Sequence, residues 1–377
     1  MSMRTPLAAA SVAAASAALL AGCTAQPQGE PMPVPSATST PTPSATVDPL
    51  TLGPVQPTGA VSVLATGLAA PWSMVRLESG STLVSERDTA LIKELTAEGT
   101  LRDVGTIPGV DPGGEGGLLG IEVVDDELFA YFTSASDNRI VAFDLVGDAG
   151  SYSLAGGRDV VTGLAKASNH NGGRIKIGPD GMLYATVGDA SQPGLAQDPV
   201  SYNGKILRMQ LDGSAPPDNP IAGSLVYSLG HRNPQGLAWD TDGRLWAAEF
   251  GQDTWDEINL IVAGGNYGWP TVEGIGGDPA FVNPVAQWPT DDASPSGLAV
   301  VRETVFMAGL GGERLWGVYP GDPVTTASFF FDSYGRIRDV IAGPNGTLWM
   351  LTNNTDGRGD PRAGDDQILQ VELAPLP

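Results

Sequence analysis

The chain is expected to fold as an all-β protein, a six-bladed β-propeller with four-stranded antiparallel blades. Three observations point there. No window of the body carries a 3.6-residue apolar period of helical length; short β-prone runs instead alternate with clusters of Gly, Pro, Asp and Asn. Fifty glycines suit a chain that turns often. Finally, one turn-and-strand element recurs. It reads Ser79-Gly80-Ser81-Thr82-Leu83-Val84, Pro179-Asp180-Gly181-Met182-Leu183-Tyr184, Thr241-Asp242-Gly243-Arg244-Leu245-Trp246 and Pro344-Asn345-Gly346-Thr347-Leu348-Trp349. In each, Gly supplies the positive φ of a tight turn and a large apolar residue opens the strand that follows. The four glycines are 101, 62 and 103 residues apart, so the long gaps read as double steps of about fifty, near a propeller's blade period. Dividing the body by that period gives roughly six blades around a central channel. A pair of β-sandwiches is the competing arrangement. In a propeller, functional residues belong in the loops at the channel mouth.

The N-terminal end reads as an export signal. One cation, Arg4, precedes an apolar, Ala-rich run from Leu7 to Leu20, too short to span a bilayer stably. The run ends in Leu20-Ala21-Gly22-Cys23, and Cys23 is the chain's only cysteine. Small residues before a lone cysteine match a bacterial lipobox, so residues 1–23 are expected to be a lipoprotein signal peptide and Cys23 the lipidated residue. An ordinary signal peptide with an incidental cysteine is the alternative. Lipidation would anchor the protein to a membrane surface on the extracytoplasmic face without spanning it. Residues 24–59, rich in Pro, Thr, Ser and Gln, read as a disordered tether, because they bury too little apolar surface to offset the entropy of ordering. Residues 60–377 form the globular body. With 43 acidic against 20 basic residues the formal charge is -23, which leaves no electrostatic footprint for nucleic acid.

The chain has two histidines, His170 and His231, each in a Gly- and Asn-rich loop beside an arginine. The first loop is Asn169-His170-Asn171-Gly172-Gly173-Arg174. An imidazole at a loop tip suits a general base for a hydroxyl proton, although a structural, hydrogen-bonded histidine is equally compatible with the residues alone. Asp189 ends the next strand with a carboxylate suited to sugar hydroxyls. The second loop, Gly230-His231-Arg232-Asn233-Pro234-Gln235-Gly236-Leu237, offers Arg232 and Asn233 as donors to a carboxylate or quinone oxygen. The third, Glu249 to Leu260, followed by Asn266-Tyr267-Gly268-Trp269-Pro270, gathers carboxylates and flexible carbonyls of the hard-oxygen type that suits Ca²⁺; acidic loops of this kind are more often simply solvated.

Taken together, GEGGLLGI (114–121), NHNGGRIKIGPDGMLYATVGD (169–189), GKILRMQLDG (204–213), GHRNPQGL (230–237), DEINLIVAGGNYGWP (256–270) and GRIRDV (335–340) resemble the glucose/sorbosone dehydrogenase family. That family includes soluble glucose dehydrogenases and aldose sugar dehydrogenases. The resemblance covers about Leu68 to Val371, with the motifs in matching order. It implies pyrroloquinoline quinone (PQQ) and Ca²⁺ as cofactors, an aldose sugar as substrate, and a membrane or soluble electron acceptor. It also implies roles residue by residue. His170 would be the base for the sugar C1 hydroxyl and Arg232 the stabiliser of developing negative charge on the quinone. Asn233, Arg336, Arg338, Trp288 and Glu115 fall at cofactor contacts, and Asn169 and Asp189 at substrate contacts. The carbonyls of Gly251 and Gln252 would hold a catalytic calcium, and Glu257 and Tyr267 a second, structural one.

The departures gather at the cofactor. Glu115 stands where relatives usually carry glutamine, and Asn169 where soluble glucose dehydrogenases carry aspartate. Gly311 replaces a lysine that some relatives place on a quinone carboxylate, with Arg314 as the nearby candidate replacement. A carboxylate at 115 is expected to weaken binding of an anionic cofactor unless it is protonated or bound to calcium. Arg358-Gly359-Asp360 reads as a turn within the polar loop 356–366. Two other readings stay open: a sugar- or quinone-binding propeller without turnover, and a calcium-dependent hydrolase of the lactonase kind, which predicts a metal deep in the channel.

Overall fold

The computed structural model describes residues 53–377, so the signal peptide, Cys23 and residues 24–52 of the tether lie outside the described residues. The body forms six sheets, each of four antiparallel strands. Blades 1 to 5 take consecutive strands from residues 71–106, 118–164, 175–229, 234–289 and 295–329; blade 6 takes three strands from residues 337–375 and a fourth from the beginning of the body. That fourth strand, Val55–Ala65, pairs antiparallel with Ile368–Pro375, from Val55 opposite Pro375 to Ala65 opposite Ile368. The ring is thus closed by joining the two ends of the body in one sheet, which leaves no open seam. The first strand starts at Val55, inside the segment read as tether. Pro57 and Thr58 look like linker by composition, yet pairing with the last strand supplies the hydrogen bonds that such a segment cannot make alone.

The first strand of each blade lies innermost and packs against the first strands of both neighbours around the ring. The recurring glycine turns link the first and second strands of blades 1, 3, 4 and 6, with φ of +90°, +75°, +77° and +77° at Gly80, Gly181, Gly243 and Gly346. Blades 2 and 5 make the same connection with tight hairpins in which Asp125 (φ +50°) and Arg302 (φ +55°) take the left-handed conformation. Each long gap in the glycine spacing therefore spans one blade without the motif. Between blades, apolar side chains of facing sheets interlock. Phe129, Tyr131 and Ile140 of blade 2 pack with Leu183, Val187 and Leu207 of blade 3, and Trp246 and Ile258 of blade 4 with Leu298 and Met307 of blade 5.

Candidate functional site

The site lies at one end of the channel, because propeller topology sends two kinds of loop there: the links that enter each innermost strand and the turns between second and third strands. Glu115, His170, Arg232, Asn233 and Arg336 precede innermost strands; Arg87, Asp189, Gly251 and Asp356 follow second strands, and Glu249 ends one. Residues scattered over 270 positions thus meet at one rim.

His170 is held tightly. Its backbone adopts φ +58°, its N–H donates to Glu115 Oε2 at 3.0 Å, and its carbonyl accepts from Ala190 N at 3.1 Å. The Val-Gly-Asp run explains the close approach: a Cβ on Gly188 would lie 2.1 Å from the His170 carbonyl oxygen. His170 Nδ1 lies 2.8 Å from Asp189 Oδ1. An ionised carboxylate only accepts, so Nδ1 carries the proton and Nε2 presents its lone pair. Asp189 was expected to touch sugar. It is fully buried instead, its oxygens taken by His170, by Ser191 N at 2.8 Å and by Trp269 Nε1 at 2.9 Å. Too short and too deeply set to reach a ligand, Asp189 orients the imidazole. Asn169, partly exposed beside His170, accepts from Ser191 Oγ at 2.6 Å.

His231 looks alike in sequence and differs in space. It is fully buried, Nε2 2.8 Å from Ser228 Oγ and Nδ1 2.8 Å from Glu249 Oε2, with its ring stacked on Tyr267 at 4.7 Å between centroids. The other oxygen of Glu249 accepts the backbone N–H groups of Arg232 and Asn233. This histidine thus locks the loop that carries Arg232.

Next to these loops a cavity is lined by Trp72, Arg87, Glu115, Gln235, Phe250, Ser294, Leu310, Arg336, Arg338, Asp356 and Arg358. Asp356 Oδ2 lies 3.1 Å from Arg336 Nη2 and 3.8 Å from Arg338 Nη2. Burial alone would raise the Asp356 carboxyl, but the two guanidiniums outweigh it and hold it below the usual carboxylate range. Arg338 also donates to Gln235 Oε1 at 2.8 Å, and burial pushes it down to about 9. Arg232 donates to the Phe250 carbonyl at 3.3 Å and faces the Trp269 ring at 5.6 Å; burial lowers it too. The Nε–H groups of Arg232, Arg336 and Arg338 are buried and have no protein partner. Buried donors of charged groups are seldom left unmade. Three such groups around one rim fit a planar anion with several carboxylates.

Below the cavity, Arg174 of blade 3 reaches across the channel to Asp339 of blade 6 at 3.0 Å, with further bonds to Ser73 Oγ and the Gln235 carbonyl, and with its guanidinium 4.3 Å from the Trp72 ring. This buried pair floors the site.

On the other side, Glu249, Glu257, Tyr267 and Glu273 line a smaller recess with Gly251. Glu273 Oε1 accepts the N–H groups of Gln252, Asp253, Thr254 and Trp255, and Asp256 Oδ1 accepts Gly251 N. With its amides thus pinned, the loop leaves the Gly251 and Gln252 carbonyls without a hydrogen-bond donor among the described residues, as carbonyls free for a hard cation would be. Glu257 accepts Gly274 N at 2.7 Å and Asn259 Nδ2 at 3.0 Å; burial, then the charge of Glu249, pushes it up to about 7. Among the described residues no cluster of three or more His, Cys, Asp or Glu side chains is arranged as a metal site. Tyr267 is not a side-chain ligand: its hydroxyl donates to the Leu260 carbonyl and accepts from Val262 N.

Two further expectations are corrected. Trp288 does not line the cavity. It lies on the outermost strand of blade 4, opposite Asp256, and packs into the core between blades 4 and 5, 5.2 Å from Trp316. The aromatics at the site are Trp72, Phe250 and Trp269. Arg314 does not replace the lysine missing at 311 either, because it stacks on Phe331 and Trp316 and faces Asp292. The cations that do line the cavity without having been singled out are Arg87 and Arg358. Arg358, read as part of a turn, bonds Glu115 Oε1 at 3.0 Å.

The chain is thus a six-bladed propeller of the class that gathers a carboxylate-held histidine and under-bonded guanidiniums at its channel mouth. Within that class, the chain belongs to the glucose/sorbosone dehydrogenase family, whose model, described as Glucose / Sorbosone dehydrogenase, matches residues 68–362. It is similar to quinoprotein glucose dehydrogenase B of Acinetobacter calcoaceticus, 33% identical over 58% of this chain, a match that spans only 54% of that relative's length. It is 30% identical to aldose sugar dehydrogenase YliI of Escherichia coli over 79% of this chain and 91% of that one. Among solved structures it is similar to the PQQ-bound aldose sugar dehydrogenase of Streptomyces coelicolor, with 49% identity, a TM-score of 0.81 and coverage of 86% of this chain and 99% of that one.

Proposed function

We propose that this protein is a PQQ- and calcium-dependent aldose dehydrogenase that oxidises the sugar at C1 to the lactone. The observation that carries the reading is the His170–Asp189 pair together with the buried, unpartnered Nε–H groups of Arg232, Arg336 and Arg338. Arg336 and Arg338 would hold the quinone's carboxylates, with Asn233, whose Oδ1 is committed to Gly172 N, offering its amide donors. The Gly251 and Gln252 carbonyls would hold the catalytic calcium, and Glu257, with the Tyr267 carbonyl, a second one. When bound, the quinone supplies the two-electron acceptor for hydride and calcium polarises it.

The chain's own residues do the rest. His170 Nε2 takes the C1 hydroxyl proton while Asp189 holds the ring and stabilises the imidazolium that forms. Oxidation removes a hydride and a proton from the sugar, and the proton rests on Nε2. Arg232, fixed by Glu249 through its backbone, places positive charge where negative charge develops on the acceptor. Asn169 is positioned to contact sugar hydroxyls. Electrons would pass on to a membrane or soluble acceptor.

The N-terminal reading completes the proposal: cleavage of a signal before Cys23, lipidation of that cysteine, and a tether from residue 24 into the fifties holding the propeller at the extracytoplasmic face of the cell membrane. The hydrolase reading loses support, since the channel depth it reserves for a metal is occupied by the Arg174–Asp339 pair. The test is a titration of the purified protein with PQQ in millimolar calcium and after chelation, followed by addition of aldose. Saturable, calcium-dependent binding and bleaching of the oxidised quinone by sugar are expected. Saturable binding without reduction would favour a binding protein, and no binding would refute the quinone reading.

A further inference from the structure

We propose that Arg358 is a cofactor-positioning residue that neutralises Glu115 at the lip of the cavity and makes the cavity receptive to an anionic ligand. The inference rests on the quinone reading above and adds a residue that the sequence left as part of a turn.

The cavity is lined by four guanidiniums, Arg87, Arg336, Arg338 and Arg358, and two carboxylates, Glu115 and Asp356. The carboxylates are handled differently. Asp356 is buried against Arg336 and Arg338, and its Oδ1 also caps the Arg358 backbone N–H at 2.9 Å. One carboxylate thus stations the two inner cations and sets the turn that aims the third. Glu115 has no such inner partner. Its oxygens take the His170 N–H and Arg358 Nη1, each at 3.0 Å. Arg87 makes no bond to Glu115; it forms a two-pronged pair with Asp88 and donates to the Asp356 carbonyl at 3.1 Å.

Glu115 is therefore the one lining carboxylate whose charge would meet an incoming anion unless Arg358 cancels it. The Arg358 side chain is 56% exposed, so the pair does little for folding stability. Its consequence is for the field inside the cavity. The pair also spans from the 356–366 loop to the loop of His170, tying cofactor occupancy to the placement of the base.

The test uses the full chain in calcium, with PQQ binding followed by quenching of tryptophan fluorescence, since Trp72 lines the cavity. Arg358→Met is expected to raise Kd about ten- to a hundredfold, the scale of one close charge at intermediate dielectric. Arg358→Lys should stay near wild type, and the double variant Glu115→Gln/Arg358→Met should regain most of the loss. Melting of the quinone-free proteins checks that folding is unchanged. Wild-type affinity in Arg358→Met, or a double variant as weak as that single one, would overturn the inference and leave the quinone reading standing. A wild type that binds no PQQ would overturn both.

Discussion

The two histidine loops are near copies in composition, and the fold treats their histidines in opposite ways. Each sets an imidazole beside a carboxylate at 2.8 Å, His170 on Asp189 and His231 on Glu249. What separates them is the second ring nitrogen. Ser228 occupies it in His231, which is sealed under Tyr267. In His170 it has no partner among the described residues, and the ring stands partly open at the rim. A carboxylate–imidazole pair is thus a spring or a tool according to whether its far nitrogen is spent. The two are also wired together, because Glu249 holds the Arg232 backbone while Asp189 holds His170 and Trp269, and Trp269 faces Arg232.

Substitutions can break this comparison. The largest effect is expected from His170→Ala, which should lower kcat by about 10³-fold while PQQ titration gives an unchanged Kd. Asp189→Asn should follow, with kcat reduced on the order of 10²-fold because the ring loses the acceptor that fixes its tautomer; steady-state rates at saturating quinone measure it. His231→Ala should act on folding first. It leaves Ser228 Oγ and Glu249 Oε2 without their partner in a buried site and should cost about 2–4 kcal/mol in denaturant unfolding. Its kcat should fall less than that of Asp189→Asn. The smallest contrast is between tryptophans. Trp72→Phe should weaken PQQ binding several-fold, whereas Trp288→Phe should leave Kd unchanged and cost about 1 kcal/mol of stability. Reversal of that last pair would restore Trp288 to the site.

The architecture could be read from the turns because four blades advertise their first hairpin with glycine, the residue that takes positive φ at no steric cost. The other two were hidden for a physical reason: Asp125 and Arg302 occupy the same left-handed conformation without glycine, so the glycine spacing skips their turns. The site's contributors were visible where chemistry clusters along the chain, as at 169–174 and 230–237. They were invisible where topology alone assembles them. Arg87, Asp356 and Arg358 sit in unremarkable polar stretches and become a cavity wall only when blades 1 and 6 meet. Burial is likewise absent from a motif: Asp189 and Trp288 carry suitable chemistry at suitable places in the chain, and the fold buries both.

The central claim is that His170 removes the sugar's proton beside a quinone held by the arginine rim. Its most direct test is single-turnover reduction of bound PQQ by aldose, followed by absorbance, in the wild type and His170→Gln at matched quinone occupancy. The account predicts equal binding, fast reduction in the wild type and reduction slowed about 10³-fold in the variant. Equal rates in the two proteins would contradict it.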